Sequence, residues 1–346
     1  MLTIKDKTAA RWDLMCLGEI LLRFDPGDRR IHNSREFSVW DGGAEYNVAA
    51  NAARVFKQRG VIAAALACNG LGRLAEELAR AAGVDTSEIL WREGSRNGLY
   101  FIERGFGIRP PASVFDRENT AVSRLVPGDI EWQRLFGEYG ARWFHTGGVF
   151  TGLSAATPGV AAEAMQAARE NGVVVSYDLN YRHSLWGNRG GREAANVLNK
   201  ELLPRVDVVF GTFDFDSTLS RYDENAFRNA AEKMIAEFPN LQMVVSTLRE
   251  THSASLHDLA GVCLAGGQVV RSKDYKNMEV LDRVGSGDAF ASAFISGLLD
   301  GREVQFAIDC GAAHGSLAMT TPGDTSMSTM DEVIALMQGA GAAAKR

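Results

Sequence analysis

The chain has 346 residues, 46% hydrophobic and 23% charged, a balance that predicts a sizeable core and speaks against global disorder. Its formal net charge of -6 at pH 7, with no Lys/Arg-dense run, argues against a nucleic-acid partner. That length holds one large α/β domain with an inserted smaller piece, or two ordinary domains.

Residues 1–12 are polar and lack the apolar run of a signal segment, and no apolar stretch of 18 residues occurs anywhere. Four cysteines (Cys16, Cys68, Cys263, Cys310) are scattered without a CxxC pair, and the six histidines form no HExxH. Packed thiols and a soluble protein of the reducing cytoplasm are expected, with no structural zinc site. Short β-rich runs predict strands over 14–24, 61–68, 142–147, 173–177, 206–210 and 241–247. Ala/Leu/Glu-rich stretches between them predict helices over 72–82, 157–170, 192–202, 225–237 and 288–299. In the helix from Thr157, Val160, Ala164, Ala167 and Ala168 fall on one face. Strand–helix alternation of this kind predicts an α/β fold with a mostly parallel sheet and helices on both faces, its ligands at the carboxyl ends of the strands.

Residues 91–124 break the alternation, with a Gly/Pro-rich bend at 105–111 between two β-rich runs, and read as a β-hairpin. Together with residues 31–41 they are expected to make a small β-sheet lid over the main sheet. No internal repeat is visible, and the Ala-rich C-terminus is expected to fray.

The strongest chemical signal is Asp282-Arg-Val-Gly285-Ser286-Gly287-Asp288-Ala-Phe, followed by a helix. Two glycines spaced by one residue let main-chain N–H groups converge, and the helix N-terminus adds its own free N–H groups and positive dipole end. Asp288 alone would read as an ordinary acidic residue of a helix start. Beside an anion site, it is also a carboxylate placed to take a hydroxyl proton during phosphoryl transfer. In that reading the helix dipole keeps Asp288 ionised.

This segment resembles the C-terminal signature of the ribokinase-like sugar kinases, the phosphofructokinase-B family. Gly42-Gly43-Ala44-Glu45-Tyr46-Asn47-Val48-Ala49 resembles that family's N-terminal signature, about 240 residues upstream. The resemblance implies one ribokinase-like domain over 1–346, a three-layer α/β/α fold with a lid from about 31–41 and 91–124. It also implies ATP and Mg2+ as cofactors, Asp288 as catalytic base, an anion hole of Gly285, Ser286 and Gly287, and sugar hydroxyls held by Gly42, Gly43 and Asn47. For the nucleotide it points to Thr247, Arg249, Gly285 and Gly287, and for adenine also to the helix around Ala313 and His314. His314 itself reads as a packed or surface helix residue.

Finer features are most like the 2-keto-3-deoxygluconate kinases of that family: Asp178-Leu-Asn180-Tyr-Arg182-His-Ser-Leu-Trp186, Val114-Phe-Asp-Arg117, Thr247-Leu-Arg249-Glu-Thr-His-Ser, Arg283 and Pro322-Gly-Asp324. A substrate carboxylate suits a planar guanidinium, for which Arg117 and Arg182 are the candidates. Tyr100 would add a ring face or hydroxyl, and Asn180 belongs to the same motif. Phe115 stands where the subgroup often has Tyr. The family's NxxE stretch is replaced by Phe210-Gly-Thr212-Phe213-Asp214-Phe215-Asp216, in which Asp214 or Asp216 could substitute near magnesium. The metal residues are left unassigned.

Four rival readings remain. Gly70-Leu-Gly72-Arg-Leu-Ala75 follows a strand and opens a helix, as a dinucleotide-binding dehydrogenase requires, but lies late in the chain for a first βα unit. A Walker-type NTPase is disfavoured by the lack of any Gly-Lys dipeptide. A kinase of a neutral sugar such as fructose or ribose, or a non-catalytic sugar-binding relative, completes the set. The exposed β lid would suit a dimer surface, so a homo-oligomer is expected.

Overall fold

The computed structural model describes residues 2–339, so the Ala-rich stretch at 340–346 lies outside the described residues. The first apolar run, predicted as one strand over 14–24, is two strands in two different sheets: β1 (Trp12–Leu17) and β2 (Leu21–Asp25). The break falls at Gly18–Ile20, where the chain leaves one sheet for the other. β3 (Ser38–Gly42) and helix α1 (Ala44–Arg54) follow, then β4 (Gly60–Ala67) and α2 (Gly70–Ala81). Asn69 caps α2 by accepting a hydrogen bond from the Gly72 amide, which starts the helix two residues before its predicted 72.

Next come β5 (Ile89–Arg92), β6 (Leu99–Glu103) and β7 (Ala112–Asp116). β8 (Ala141–Gly147), α3 (Gly148–Thr151), α4 (Thr157–Glu170), β9 (Val174–Asp178), α5 (His183–Trp186), α6 (Gly191–Leu202), β10 (Val208–Phe210) and α7 (Glu224–Glu237) continue the alternation. In α4 the predicted face of Val160, Ala164, Ala167 and Ala168 is buried. β11 (Met243–Ser253) runs well past the predicted 247 and turns back into β12 (Leu256–Ala265), with β13 (Gln268–Arg271) and β14 (Tyr275–Glu279) both paired to β12. α8 (Ser286–Leu299), α9 (Val304–Ala318) and α10 (Met330–Met337) complete the order.

The large sheet runs β13-β12-β11-β10-β9-β8-β1-β4-β5, with β14 paired to β12 alongside β13. From β5 to β11 every pairing is parallel, and β12, β13 and β14 are antiparallel additions. Its strands bury both faces. Along β1, Met15 and Leu17 join one apolar cluster with α4 and α7, while Leu14 and Cys16 join another with α1, α8 and α9. This makes three layers, helix, sheet and helix.

A separate four-stranded sheet has the order β3-β2-β6-β7, with β2 parallel to β6 and the other pairs antiparallel. Residues 91–92, expected in this small sheet, belong instead to β5 at the edge of the large one, and β2 takes a place that was not foreseen. The chain begins the large sheet at β1, fills one side with β4 and β5, then returns to β8 on the other side. Strand order thus reverses between β1 and β8, and ligand crevices form beyond the carboxyl ends of strands at such a point.

Candidate active site

A cavity of about 1230 Å³ opens beyond those strand ends, beneath the small sheet. It is lined from the small sheet by Tyr100, Phe115 and Arg117, and from α1 by Asn47 next to Gly43. The loop after β9 contributes Asp178, Asn180 and Arg182, β11 contributes Thr247 and Arg249, and the start of α8 contributes Gly285, Ser286, Gly287 and Asp288. A volume above the usual ~300–1,000 Å³ of a single-ligand pocket leaves room for two ligands. Of the residues the resemblance assigned to substrate, nucleotide or catalysis, Gly42, Ala313 and His314 do not line it. Gly42 stands behind the wall, where a Cβ would come 2.6 Å from Asp324 Oδ2.

The two glycine motifs meet here. Asn47 Nδ2 donates to Asp288 Oδ2 at 2.7 Å, joining positions 241 residues apart. Asn47 Oδ1 is buried with no partner among the described residues and can accept from a ligand hydroxyl. Gly43 has φ +132° and would place a Cβ 1.9 Å from the Glu19 carbonyl, so only glycine fits. Gly285 caps α8 with φ +77°, and its missing Cβ leaves room for the Asp324 carbonyl, 1.8 Å from where that atom would be. The Ser286 hydroxyl turns away, donating to the Gly315 carbonyl at 2.9 Å, so Ser286 can offer a ligand only its backbone N–H.

Asp288 is 8% exposed, and burial pushes its pKa up to about 7, against the opposing pull of the Asn47 hydrogen bond and Arg182. The expectation of an Asp288 kept ionised is therefore corrected: although it stands in the first turn of α8, desolvation on burial raises its pKa against the pull of its neighbours. A base poised near neutrality is well matched to proton transfer at pH 7. Burial likewise raises Asp178 to about 6 and Glu45, just behind Asn47 in sequence, to about 8.

Cations surround this acid. Arg182, Arg249 and Arg283 all line the cavity, and among the described residues none of them forms a salt bridge. Arg249 leans on the glycine turn, with Nη2 2.9 Å from where a Gly287 Cβ would lie, and its Nε donates to Thr247 Oγ1 at 3.2 Å. Arg117 is 8% exposed, lies 3.9 Å from Glu19 and sits over the Phe115 ring at 4.7 Å. Phe115 in turn stacks on Tyr100 at 5.3 Å. The Tyr100 hydroxyl donates to Asp324, which leaves its ring as the surface facing the cavity.

Asp214 and Asp216 line the cavity, yet Asp214 pairs with Lys233 at 3.3 Å, while Asp216 pairs with Arg221 at 3.5 Å and caps the Thr218 amide. Both pairs are exposed and weak, and among the described residues no group of three His, Cys, Asp or Glu could hold a metal alone. Magnesium on nucleotide phosphates needs only one or two carboxylates, and the half-buried Asp178 is a further carboxylate on the cavity wall. His314 is fully buried, bonded through Nδ1 to the Ala289 carbonyl and edge-on to Phe56. It and the buried Ala313 belong to the core, which sets aside their expected place at adenine. The Gly70–Gly72 turn opens α2 outside the cavity, so the dinucleotide reading loses its ligand.

Sequence reasoning noted Asp324 only within the Pro322-Gly-Asp324 match and gave it no role, because its partners Arg23 and Tyr100 lie far away in the chain. Glu45 went unremarked because its environment, not its spacing, makes it unusual.

Residues 12–331 match the family described as pfkB family carbohydrate kinase. The chain is 31% identical over 338 residues to 2-dehydro-3-deoxygalactonokinase of Haloferax volcanii, a match spanning 96% of this chain and 99% of that one. It is 26% identical over 342 residues to 5-dehydro-2-deoxygluconokinase of Shouchella clausii, spanning 97% and 98%. Its structure is similar to the crystal structure of 2-dehydro-3-deoxygluconokinase from Thermotoga maritima, with TM-score 0.86 and 33% identity, covering 95% of this chain and 100% of that chain.

Proposed function

The chain belongs to the pfkB family of carbohydrate kinases, and from that premise we propose that it transfers the γ-phosphoryl group of ATP to a hydroxyl of a small keto-deoxy sugar acid. The acceptor favoured is 2-keto-3-deoxygluconate, giving 2-keto-3-deoxy-6-phosphogluconate. The observation that carries this reading is Arg182, a cation without an acidic partner among the described residues, in one cavity with Asp288 and Arg117. A guanidinium there can pair with a substrate carboxylate through two parallel hydrogen bonds. The similar proteins are likewise named for keto-deoxy hexonates.

In this mechanism Arg182 and Arg117 hold the acid end, Asn180 and the Tyr100 ring flank it, and Asn47 beside Gly42 and Gly43 holds the hydroxyls. The acceptor O–H bond breaks as its oxygen bonds to the γ-phosphorus, the bond from phosphorus to the bridging oxygen of ADP breaks, and the Asp288 carboxylate takes the proton. The N–H groups of Gly285, Ser286 and Gly287 and the start of α8 receive the phosphoryl oxygens. Thr247 and Arg249 lie on the nucleotide side. Mg2+, held on the phosphates and by Asp178, would neutralise phosphate charge. Closure of the small sheet as a lid, together with the loop from 31, would keep water from competing with the sugar hydroxyl. The whole of 2–339 then acts as one kinase domain, in the cytoplasm where ATP is supplied. The exposed edge strand β7 and the exposed Phe106 and Ile108 would pair two copies.

The 3.9 Å approach of Arg117 to Glu19 favours a second reading, in which Arg117 is spent on that acid and the acceptor is a neutral sugar. ADP release separates the two, measured with Mg-ATP and 2-keto-3-deoxygluconate, its galactonate epimer, ribose, fructose and gluconate. Turnover with the keto-deoxy acids alone supports the first; turnover with fructose or ribose transfers the assignment to the second.

A further inference from the structure

Arg23, on β2 of the small sheet, is fully buried and lies behind the cavity wall. Its Nη1 donates to Asp324 Oδ1 at 2.8 Å, and its Nη2 donates to Asp25 Oδ2 at 2.9 Å and to Asp282. Each carboxylate holds something further. Asp324 accepts the Tyr100 hydroxyl from β6, and Asp282 accepts the amides of Val284 at 3.1 Å and Gly323 at 3.3 Å. Arg104, just past β6, lies 3.3 Å from Asp25 and supplies a second positive charge.

One guanidinium thus joins two strands of the small sheet to the segment feeding the glycine turn and to the loop at 322–324. That loop fits against both glycine motifs, its Asp324 carbonyl at Gly285 and its Asp324 carboxylate at Gly42. A buried ionic cluster of this kind adds little net stability compared with apolar packing, while fixing its members in one arrangement. A planar fork can serve three carboxylates in set directions, which a single ammonium cannot do.

We propose that Arg23 is a positioning residue for phosphoryl transfer, holding the small sheet in register with the Gly285–Gly287 turn so that acceptor and phosphoryl group are presented together. The proposal rests on the kinase reading of the site, but not on which sugar is the acceptor.

Arg23→Lys keeps the charge and loses the fork. In this variant, assayed with whichever sugar the wild-type enzyme phosphorylates, kcat falls by about 10–100-fold, the loss expected of a small misplacement. KM for ATP stays within about threefold, because Thr247 and Arg249 on β11 touch no member of the cluster. The ratio of ATP hydrolysed without transfer to sugar phosphorylated rises, a change that partial unfolding would not produce. Hydrogen exchange at the Val284 and Gly323 amides speeds up in the absence of any substrate, so a wrong acceptor assignment and a wrong role for Arg23 give different results. A folded variant with wild-type kcat and transfer ratio, or with unchanged exchange at those amides, overturns the proposal. Should Arg23→Lys fail to fold, Arg23→Gln/Asp282→Asn, which removes one charge of each sign, takes its place under the same criteria. If neither variant folds, the cluster is structural and the proposal falls.

Discussion

At Asp288, the carboxylate's burial and its hydrogen bond from Asn47 act in opposite directions, and burial prevails, with a pKa of about 7. The deprotonated form is the one able to accept a proton, so wild-type kcat/KM, which reports ionisation of the free enzyme, should rise with pH through about 7 in a pH–rate profile. Asp288→Asn should lower kcat by about 10²–10⁴-fold while sugar affinity, read by calorimetry, stays within about threefold. Glu45 makes a separate point about stability. Its Oε1 accepts the Phe150 amide at 3.0 Å, its Oε2 is buried with no partner among the described residues, and burial raises it from 4.5 to about 8. Its folded pKa lies above its unfolded one, so the stability it lends is complete below about pH 4.5 and is lost as pH rises through 8. Glu45→Gln, which imitates the protonated acid at every pH, should match the wild type at pH 5 and exceed it by at least about 1 kcal/mol at pH 9 in urea denaturation.

Elements show how much of the molecule can be read in advance. The βα alternation was legible because apolar residues recur with period 2 in strands and 3.6 in helices such as α4, and both periods survive in the sequence. The 14–24 run misled because its apolar residues continue without interruption across Gly18–Ile20, while the chain passes from one sheet to the other. α1 and α9 offered no amphipathic stripe to detect. Both are rich in Ala and buried almost all round, so no polar face marks them. At the site, Gly285–Asp288 and Asn47 were legible because glycine spacing and a helix start carry their own physics. The hidden roles of Ser286 and Asp324 depend on partners about 29 and 300 residues away in the chain, a distance no local pattern spans. The turn between β3 and α1 can be tested directly. Gly43→Ala must combine φ +132° with a carbonyl 1.9 Å from its new Cβ, and should cost ~3 kcal/mol or more. Gly27→Ala, with φ +66° and nothing within 4 Å, should cost only ~1–2 kcal/mol in the same urea titration.

Across the whole molecule, a net charge of -6 coexists with a cavity lined by Arg182, Arg249 and Arg283, which form no salt bridge among the described residues, so anionic ligands are drawn to one place on a net-negative surface. The apolar tip of the small sheet is the other exception on that surface, with Ile108 fully exposed and Phe106 largely so. If two copies meet there, Ile108→Asp should halve the mass seen by light scattering; an unchanged oligomer would place the contact elsewhere. Arg23 and its partner Asp324 stand 301 positions apart. During synthesis at ~5–20 residues per second, β2 therefore leaves the ribosome about 15–60 s before the carboxylate that completes its charge cluster. For that interval the nascent chain carries a cation designed for burial with part of its counter-charge still untranslated, and any product that stops short of residue 324 is left with no finished site rather than half of one.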